Sequence, residues 1–475
     1  MTKENLQRKL GLFPATNIVV ANMIGAGIFT TSGLLIAGLN DPALMLVLWG
    51  VGGLIALCGA LSYGELGAAM PGAGGEYLFL SKLYHPLMGF LSGWVSFMVG
   101  FSAPIAASAL GFSEYFCRAL PGLPAILNNA GISHAITGKL IAVSVILIFT
   151  FIHYRGIKYG ARIQNILTIL KVALIIILLV AGFTSGEGDM GHFSEGSKLA
   201  PGLEGWKTMA LSLMWIMFAY SGWNASTYLG AEIKNPSKIL PRSLLYGTGI
   251  VIVLYLAINM LYVYGINLDA MKGVISVGGL AMGNLFGRSA DILFSLLIAF
   301  ALFSSLSAFI IIGPRVYYSM AKDGLFFKSA ARIHKKYQVP SNSILLQCAI
   351  AVVLVLSGTF EQVLTYMGFA LGIFPILTVF GVVKLRKENP RALRLPGFPV
   401  TQFLYVMTGM LILGLSYLER PFESSIAVLT VLAGIPAYYI FKKSNGVGKK
   451  IPEKETVPVE KPEPDTVGSE VLQED

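Results

Sequence analysis

Twelve apolar blocks follow one another along the chain, at about 12–37, 43–69, 86–117, 138–154, 160–183, 206–231, 243–267, 289–319, 341–357, 361–383, 399–418 and 422–441. Polar or charged residues separate them in mostly short stretches. Each block is long enough for a helix to cross the roughly 30 Å hydrocarbon layer at about 1.5 Å per residue. Backbone groups in hydrocarbon must be paired within the segment, so twelve transmembrane helices are predicted and the fold class is an all-α membrane protein. The first block is long and lacks a small-residue cleavage site, so it reads as a span and not as a removed signal.

Two blocks are interrupted where a helix should be continuous. "NMIGAGIFTT", Asn22 to Thr31, puts Gly25 and Gly27 inside the first. "FAYSGWNAS", Phe218 to Ser226, puts Ser221, Gly222 and Asn224 inside the sixth. Glycine costs a helix interior about 1 kcal/mol relative to alanine. Alone, either break reads as close helix packing by small residues. Together they open two sets of five, blocks 1–5 and 6–10. Five crossings do not return a chain to its starting side, so two similar sets must be inverted relative to each other. Matching breaks in two halves mark a transporter binding site. The expected organisation is one polytopic domain over 1–443, with a first repeat at about 12–183 and a second at about 206–383. Helices eleven and twelve, at about 399–441, lie outside the repeat, and the polar tail 444–475 reads as disordered.

A broken helix frees N–H groups at one half-helix and carbonyls at the other. The first favour a carboxylate and the second an ammonium. A zwitterion needs both, and an amino acid carries them on one carbon.

Composition agrees. Of 475 residues, 55% are hydrophobic and 13% are charged, against about 25% charged in a soluble domain. Mean hydropathy is +0.70. The net charge of +10 could suggest nucleic acid, but its placement gives a different reading. With the blocks threaded alternately, 26 of the 35 Lys and Arg fall on the side of the N-terminus, 7 on the other, and Lys171 and Arg315 within blocks. By the positive-inside rule both termini are cytoplasmic, probing anionic lipid heads and not nucleic acid. Cys58, Cys117 and Cys348 have no metal-ligand spacing. No Walker motif, nucleophile–base set or metal-like histidine group is present, so no enzyme, cofactor or metal is expected. "GAGG" at Gly72 to Gly75 lacks the strand–turn–helix context of a nucleotide loop.

At these residues the chain resembles the amino acid–polyamine–organocation superfamily of permeases, and within it the L-amino acid transporter branch. "IGAGIF" (Ile24 to Phe29), "YGELGAAMPGAGGEY" (Tyr63 to Tyr77), "FAYSGWNAS", "GAEIKNPSKILPRS" (Gly230 to Ser243) and "GPRVYYSMAKDG" (Gly313 to Gly324) carry the likeness in order over about residues 8–440. It implies the leucine-transporter fold, with a 5+5 inverted repeat and discontinuous helices one and six, and alternating access for amino acids. It implies a substrate carboxylate near the N–H groups of Gly25, Ala26 and Gly27. The amino group would lie near carbonyls of Met23 or Ile24 and of Phe218, Ala219 and Ser221, beside Gly222, with Phe218 as an aromatic gate. Where many relatives have serine, this chain has Ala26, which leaves backbone donors alone.

Lys171 is about twelve residues from either end of its block, and insertion of a central lysine costs about 2.5–3.5 kcal/mol. Something polar must face it. The family places a lysine here where sodium-coupled relatives hold a cation, opposite carbonyls near Ile24 and a hydroxyl such as Ser304 or Ser305. It reads as a fixed positive strut or as a proton-coupling switch, and both disfavour sodium. Arg315 reads as an anchor. Glu65 and Glu232, at inner helix ends, could pair with basic loop residues and gate the inner side, although solvated structural pairs are the expected reading, and Trp223 reads as packing.

The sequence thus points to a secondary transporter of L-amino acids, neutral ones because no acid sits at the breaks, working by sodium-independent exchange. Membrane lipids and a small-molecule substrate are the expected partners, with no obligatory protein partner, in the cell membrane. The rivals are a proton-coupled symporter, a polyamine or amine permease and, in a different class, a non-transporting membrane sensor.

Overall fold

A computed structural model describes residues 8, 10–72, 74–155, 157–196, 202–334, 337 and 339–444, without the side chains of 157–165 and 185. The tail assigned to 444–475 lies, from 445 on, outside the described residues. Among the described residues the chain is helical, and its one β-feature is an isolated bridge between Leu10 and Ile233. Ten helices are long and apolar enough to cross a membrane. They coincide with every predicted block except the sixth and ninth, where the helices Leu203–Ala219 and Ser341–Ser357 have 17 residues each.

Local chemistry sets the boundaries. Asp41 accepts from the Leu44 N–H at 2.9 Å and Pro42 opens the helix Pro42–Ala69, a side-chain cap followed by a residue with no N–H to lose. Thr359 and Gln362 form a reciprocal capping box at the start of Phe360–Glu388. The first block divides into Leu12–Met23, Ala26–Thr30 and Ser32–Leu39. The sixth ends at Ala219, sooner than the pattern suggested. Its remainder is two 3₁₀ turns, Ala225–Tyr228 and Gly230–Glu232. A π-turn at Ser96–Gly100, which periodicity did not reveal, splits the third block. Among the described residues, the connection after the eighth block holds a single 3₁₀ turn, Lys328–Ala331.

Charges near block ends join neighbours that alternate threading puts on the same side. Arg118 grips Asp291 with two bonds of 2.6 and 2.8 Å, tying the third helix to the eighth. Arg386 donates two bonds to Glu65, one of them 3.0 Å, and Leu395 N–H donates a third at 2.8 Å. Glu65 is thus a buried clamp between the second and tenth helices, and not the solvated pair that was expected. Large apolar side chains face outward along the helices. Ile169 and Leu170 are 62% and 58% exposed while the adjacent Lys171 is 1% exposed, so this helix turns one face to lipid and its lysine inward.

Removing one partner of a buried ion pair leaves the other charge unpaired, at about 3–5 kcal/mol. Arg386→Met is therefore expected to lower the unfolding temperature in detergent markedly. The double variant Arg386→Met with Glu65→Gln should recover part of the loss. Equal melting of wild type and Arg386→Met would show that the clamp contributes nothing.

Candidate functional site

The two breaks meet. A Cβ on Gly222 would lie 2.9 Å from the backbone carbonyl carbon of Asn22, and Gly222 has φ +95°, a conformation that side-chain-bearing residues rarely adopt. A Cβ on Gly27 would lie 2.5 Å from Cα of Ala219. Both glycines are required by close approach of the two broken segments. Gly25 differs, because a Cβ there would meet nothing nearer than 3.7 Å.

The backbone groups released by the breaks are taken up by buried side chains. The Tyr255 hydroxyl lies 2.5 Å from the Met23 carbonyl and 3.0 Å from that of Ala219. Tyr255 has one proton to donate, so it serves the two carbonyls in alternation. Sequence reasoning missed it, since a tyrosine in an apolar block carries no local signal.

Lys171 Nζ donates to the Ala21 carbonyl at 3.1 Å, to the Ile24 carbonyl, and to Ser305 Oγ at 3.3 Å. Ser305 in turn donates to Ile24 at 3.0 Å. The three protons of the ammonium thus have three acceptors. Ser304 is fully buried one position earlier.

A cavity of about 140 Å³ adjoins the sixth break. Phe218, Ser221 and Gly222 line it, as do Asn22, Asn224 and Glu76. Met23, Ile24, Gly25, Ala26, Gly27 and Ala219 are not among its lining residues. Of the residues assigned to substrate, the sixth-break set faces this space and the first-break set is covered by Ala219, Tyr255 and Lys171. The Phe218 and Ala219 carbonyls each already accept a bond, from Ser221 N–H at 2.8 Å and from Tyr255, although a carbonyl has two lone pairs. Trp223 packs edge-on against Tyr63 at 4.6 Å. Tyr220 donates to the Trp49 carbonyl at 3.1 Å, a helix-to-helix bond. His153 is buried near its helix end, 2.9 Å from Ser307 Oγ. Arg315 donates to the Ile311 carbonyl of its own helix. Among the described residues no group of three metal-ligating side chains occurs.

This geometry separates the two glycines experimentally. Gly27→Ala forces the broken segments apart and is expected to destabilise the protein. Gly25→Ala fits, so it should fold normally and impair substrate binding only if the carboxylate approaches there. Melting curves and ligand binding on both variants check this, and a stable, fully active Gly27→Ala would refute the close contact with Ala219.

Comparison with known proteins agrees with the architecture. The family model "Amino acid permease" matches residues 10–435. The serine/threonine exchanger SteT of Bacillus subtilis (strain 168) is 29% identical over 450 residues, covering 93% of this chain and 99% of the relative. The mouse (Mus musculus) b(0,+)-type amino acid transporter 1 is 27% identical over 450 residues, covering 92% and 88%. The rat (Rattus norvegicus) large neutral amino acids transporter small subunit 2 is 28% identical over 447 residues, covering 92% and 81%. A likeness spanning nearly all of each chain, on an all-helical scaffold with ten membrane-crossing helices, leads to one conclusion: the chain belongs to the amino acid permease family of the amino acid–polyamine–organocation superfamily, and is a multi-pass membrane transporter of amino acids.

Proposed function

We propose that this permease exchanges neutral L-amino acids across the cell membrane without sodium, with both termini in the cytoplasm. The carrying observation is Lys171. Its ammonium occupies the junction of the first, fifth and eighth helices, bonded to Ala21, Ile24 and Ser305. A second cation there would meet direct repulsion in a poorly screened interior. The names of the relatives support exchange, since one is an exchanger of serine and threonine and another concerns large neutral amino acids. Phe218, Ser221 and Gly222, on the cavity wall, supply the sixth-break part of the site. Met23, Ile24, Gly25, Ala26 and Gly27 complete it when the contact with Ala219 loosens. The carboxylate then meets the N–H groups of the first break and the ammonium meets the carbonyls, with Phe218 closing over the bound substrate. The 26-to-7 distribution of basic residues supports the orientation, and the matched breaks support two inverted repeats of five helices.

We read the chain as working without an obligatory protein partner. One relative's name describes it as a small subunit, so co-purification of a second chain would revise that point. Proton-coupled symport is the mechanistic rival, with Lys171 as the switch.

Proteoliposomes loaded with one amino acid should take up a labelled one only when the internal pool is present, at the same rate in sodium and in choline. A saturable sodium requirement, or equal uptake into empty vesicles, would overturn the reading.

Lys171→Ala takes its lysine donor from the Ala21 carbonyl and leaves the Ile24 carbonyl with Ser305 alone, at about 1–3 kcal/mol for an unsatisfied buried group. The variant is expected to melt earlier and to exchange more slowly, although Lys171 is outside the cavity lining. For a strut, an imposed pH gradient concentrates no substrate in wild-type vesicles. Gradient-driven accumulation that disappears in Lys171→Ala would establish the proton rival.

A further inference from the structure

The motif "GAGGEY" holds a carboxyl group, Glu76, to which the proposed exchange gives no role. Glu76 is the first residue of the short helix Glu76–Leu83, on the side of the membrane that holds the N-terminus, and is 8% exposed. The loop before it is held tightly against the second half of the sixth segment. Gly74 N–H donates to the Tyr228 carbonyl at 3.3 Å. A Cβ on Gly75 would lie 2.7 Å from the Tyr228 ring, and one on Gly230 would lie 2.7 Å from the Gly72 carbonyl oxygen. Glu76 is therefore carried to the floor of the cavity, which it lines.

Its partners come from three other parts of the chain. Oε1 accepts from Tyr63 Oη at 2.7 Å, on the second helix, and from Asn224 Nδ2 at 2.9 Å, in the sixth break. Oε2 lies 3.4 Å from Ser92 Oγ, on the third helix. The other titratable groups facing it, Tyr228 beyond the sixth break and Tyr405 on the eleventh helix, are neutral phenols. On its own helix, Tyr77 is engaged with Asp323 at 2.5 Å, and Lys82 is exposed in the last turn. Among the described residues no basic group lies within 4 Å of Glu76.

An ionised carboxylate buried without a cation is costly. All three neighbours donate to the carboxyl and hold it in either protonation state, so what disfavours its charge is burial without a cation. Burial pushes the carboxyl above its ordinary range, against the opposing effect of the Tyr63, Ser92 and Asn224 bonds. The positive end of its own short helix favours charge only weakly.

We propose that Glu76, as a protonated acid accepting from Tyr63, Asn224 and Ser92, ties the sixth break to the second and third helices, and that its ionisation, disfavoured where it is buried without a cation, is relieved by opening this side to water. The sign follows from linkage. The closed state holds the proton more tightly than an opened, hydrated carboxyl would, so acid favours the closed state and rising pH favours opening. This rests on the exchange reading above for its transport readout, and not for its structural one.

Exchange is measured in proteoliposomes at equal internal and external pH, from about pH 5 to 9. Wild-type turnover should rise about fivefold or more as Glu76 ionises, which converts to about 1 kcal/mol of lost preference for the closed state. Glu76→Gln keeps both Oε1 bonds and cannot ionise, so it should stay at the slow, acid-like rate at every pH. Asn224→Ala removes the donor on the sixth segment and should be fast even in acid. A Glu76→Gln profile that follows wild type overturns the proposal. Trp223 is adjacent to Asn224, and its exposure needs neither substrate nor a Glu76 variant. Acrylamide quenching, taken as the difference from Trp223→Phe, should increase with pH in the wild type. Unchanged quenching across this range overturns the proposal even if no amino acid is exchanged, and absent exchange with pH-dependent quenching overturns only the transport reading.

Discussion

Backbone polar groups released in mid-membrane have no water to bond with, and every one must be met by another part of the chain. This requirement organises the centre of the molecule. The first break frees the carbonyls of Ala21, Met23 and Ile24, and three buried side chains from three different helices answer them: Lys171, Tyr255 and Ser305. The lysine costs several kcal/mol if left unpaired in hydrocarbon, and the carbonyls would be costly without it. Each compensates the other. A kinked but continuous helix would need neither, so the buried lysine and the broken helix are two parts of one solution.

The same constraint explains which parts of the fold were legible in the sequence. Span positions depend on local apolar runs; ten of the twelve blocks coincide with long apolar helices, and the ninth with the shorter Ser341–Ser357. The sixth fell short because Ser221 to Asn224 do more than interrupt it. After Ala219 the chain turns back through 3₁₀ bonds, such as Ala225 N–H to the Gly222 carbonyl at 3.0 Å, and apolarity alone does not distinguish these from an α-helix. The π-turn at Ser96–Gly100 was equally silent. Its Ser96 carbonyl accepts from Tyr317 Oη at 3.1 Å, a contact 221 positions away along the chain.

The site was legible where a residue was anomalous for its surroundings. Lys171 in hydrocarbon and two glycines in a span are local contradictions, and both led to the centre. Tyr255, Tyr63 and Asn224 are ordinary membrane residues by composition, and their roles appear only when distant helices are brought together. Glu76 fell between these cases. It is charged, but it follows a glycine loop at a helix start, where a solvated carboxylate would be unremarkable. Only packing of the loop against Tyr228 and Gly230 shows that the carboxyl is buried there.

The sixth break takes part in contacts toward both sides of the membrane. Ala219 closes on Gly27 toward the side opposite the N-terminus, while Asn224 is bonded to Glu76 toward the N-terminal side. The Leu10–Ile233 bridge adds a second closure near the latter, with Leu10 N–H donating to the Glu232 carbonyl at 2.9 Å and Lys234 N–H to the Leu10 carbonyl at 2.9 Å. Four residues separate Ala219 from Asn224, and they include Gly222 in its left-handed conformation. A motion of this short segment that loosens one closure need not loosen the other, because the glycine can absorb the change in backbone direction. A substrate bound at the break shifts the balance only by the difference in its affinity for the two arrangements. If the proposed site at the break is right, contacts made by the zwitterion itself, common to every amino acid, are therefore best placed to drive the cycle, leaving the side chain and the cavity wall around Phe218 to decide which amino acids are carried.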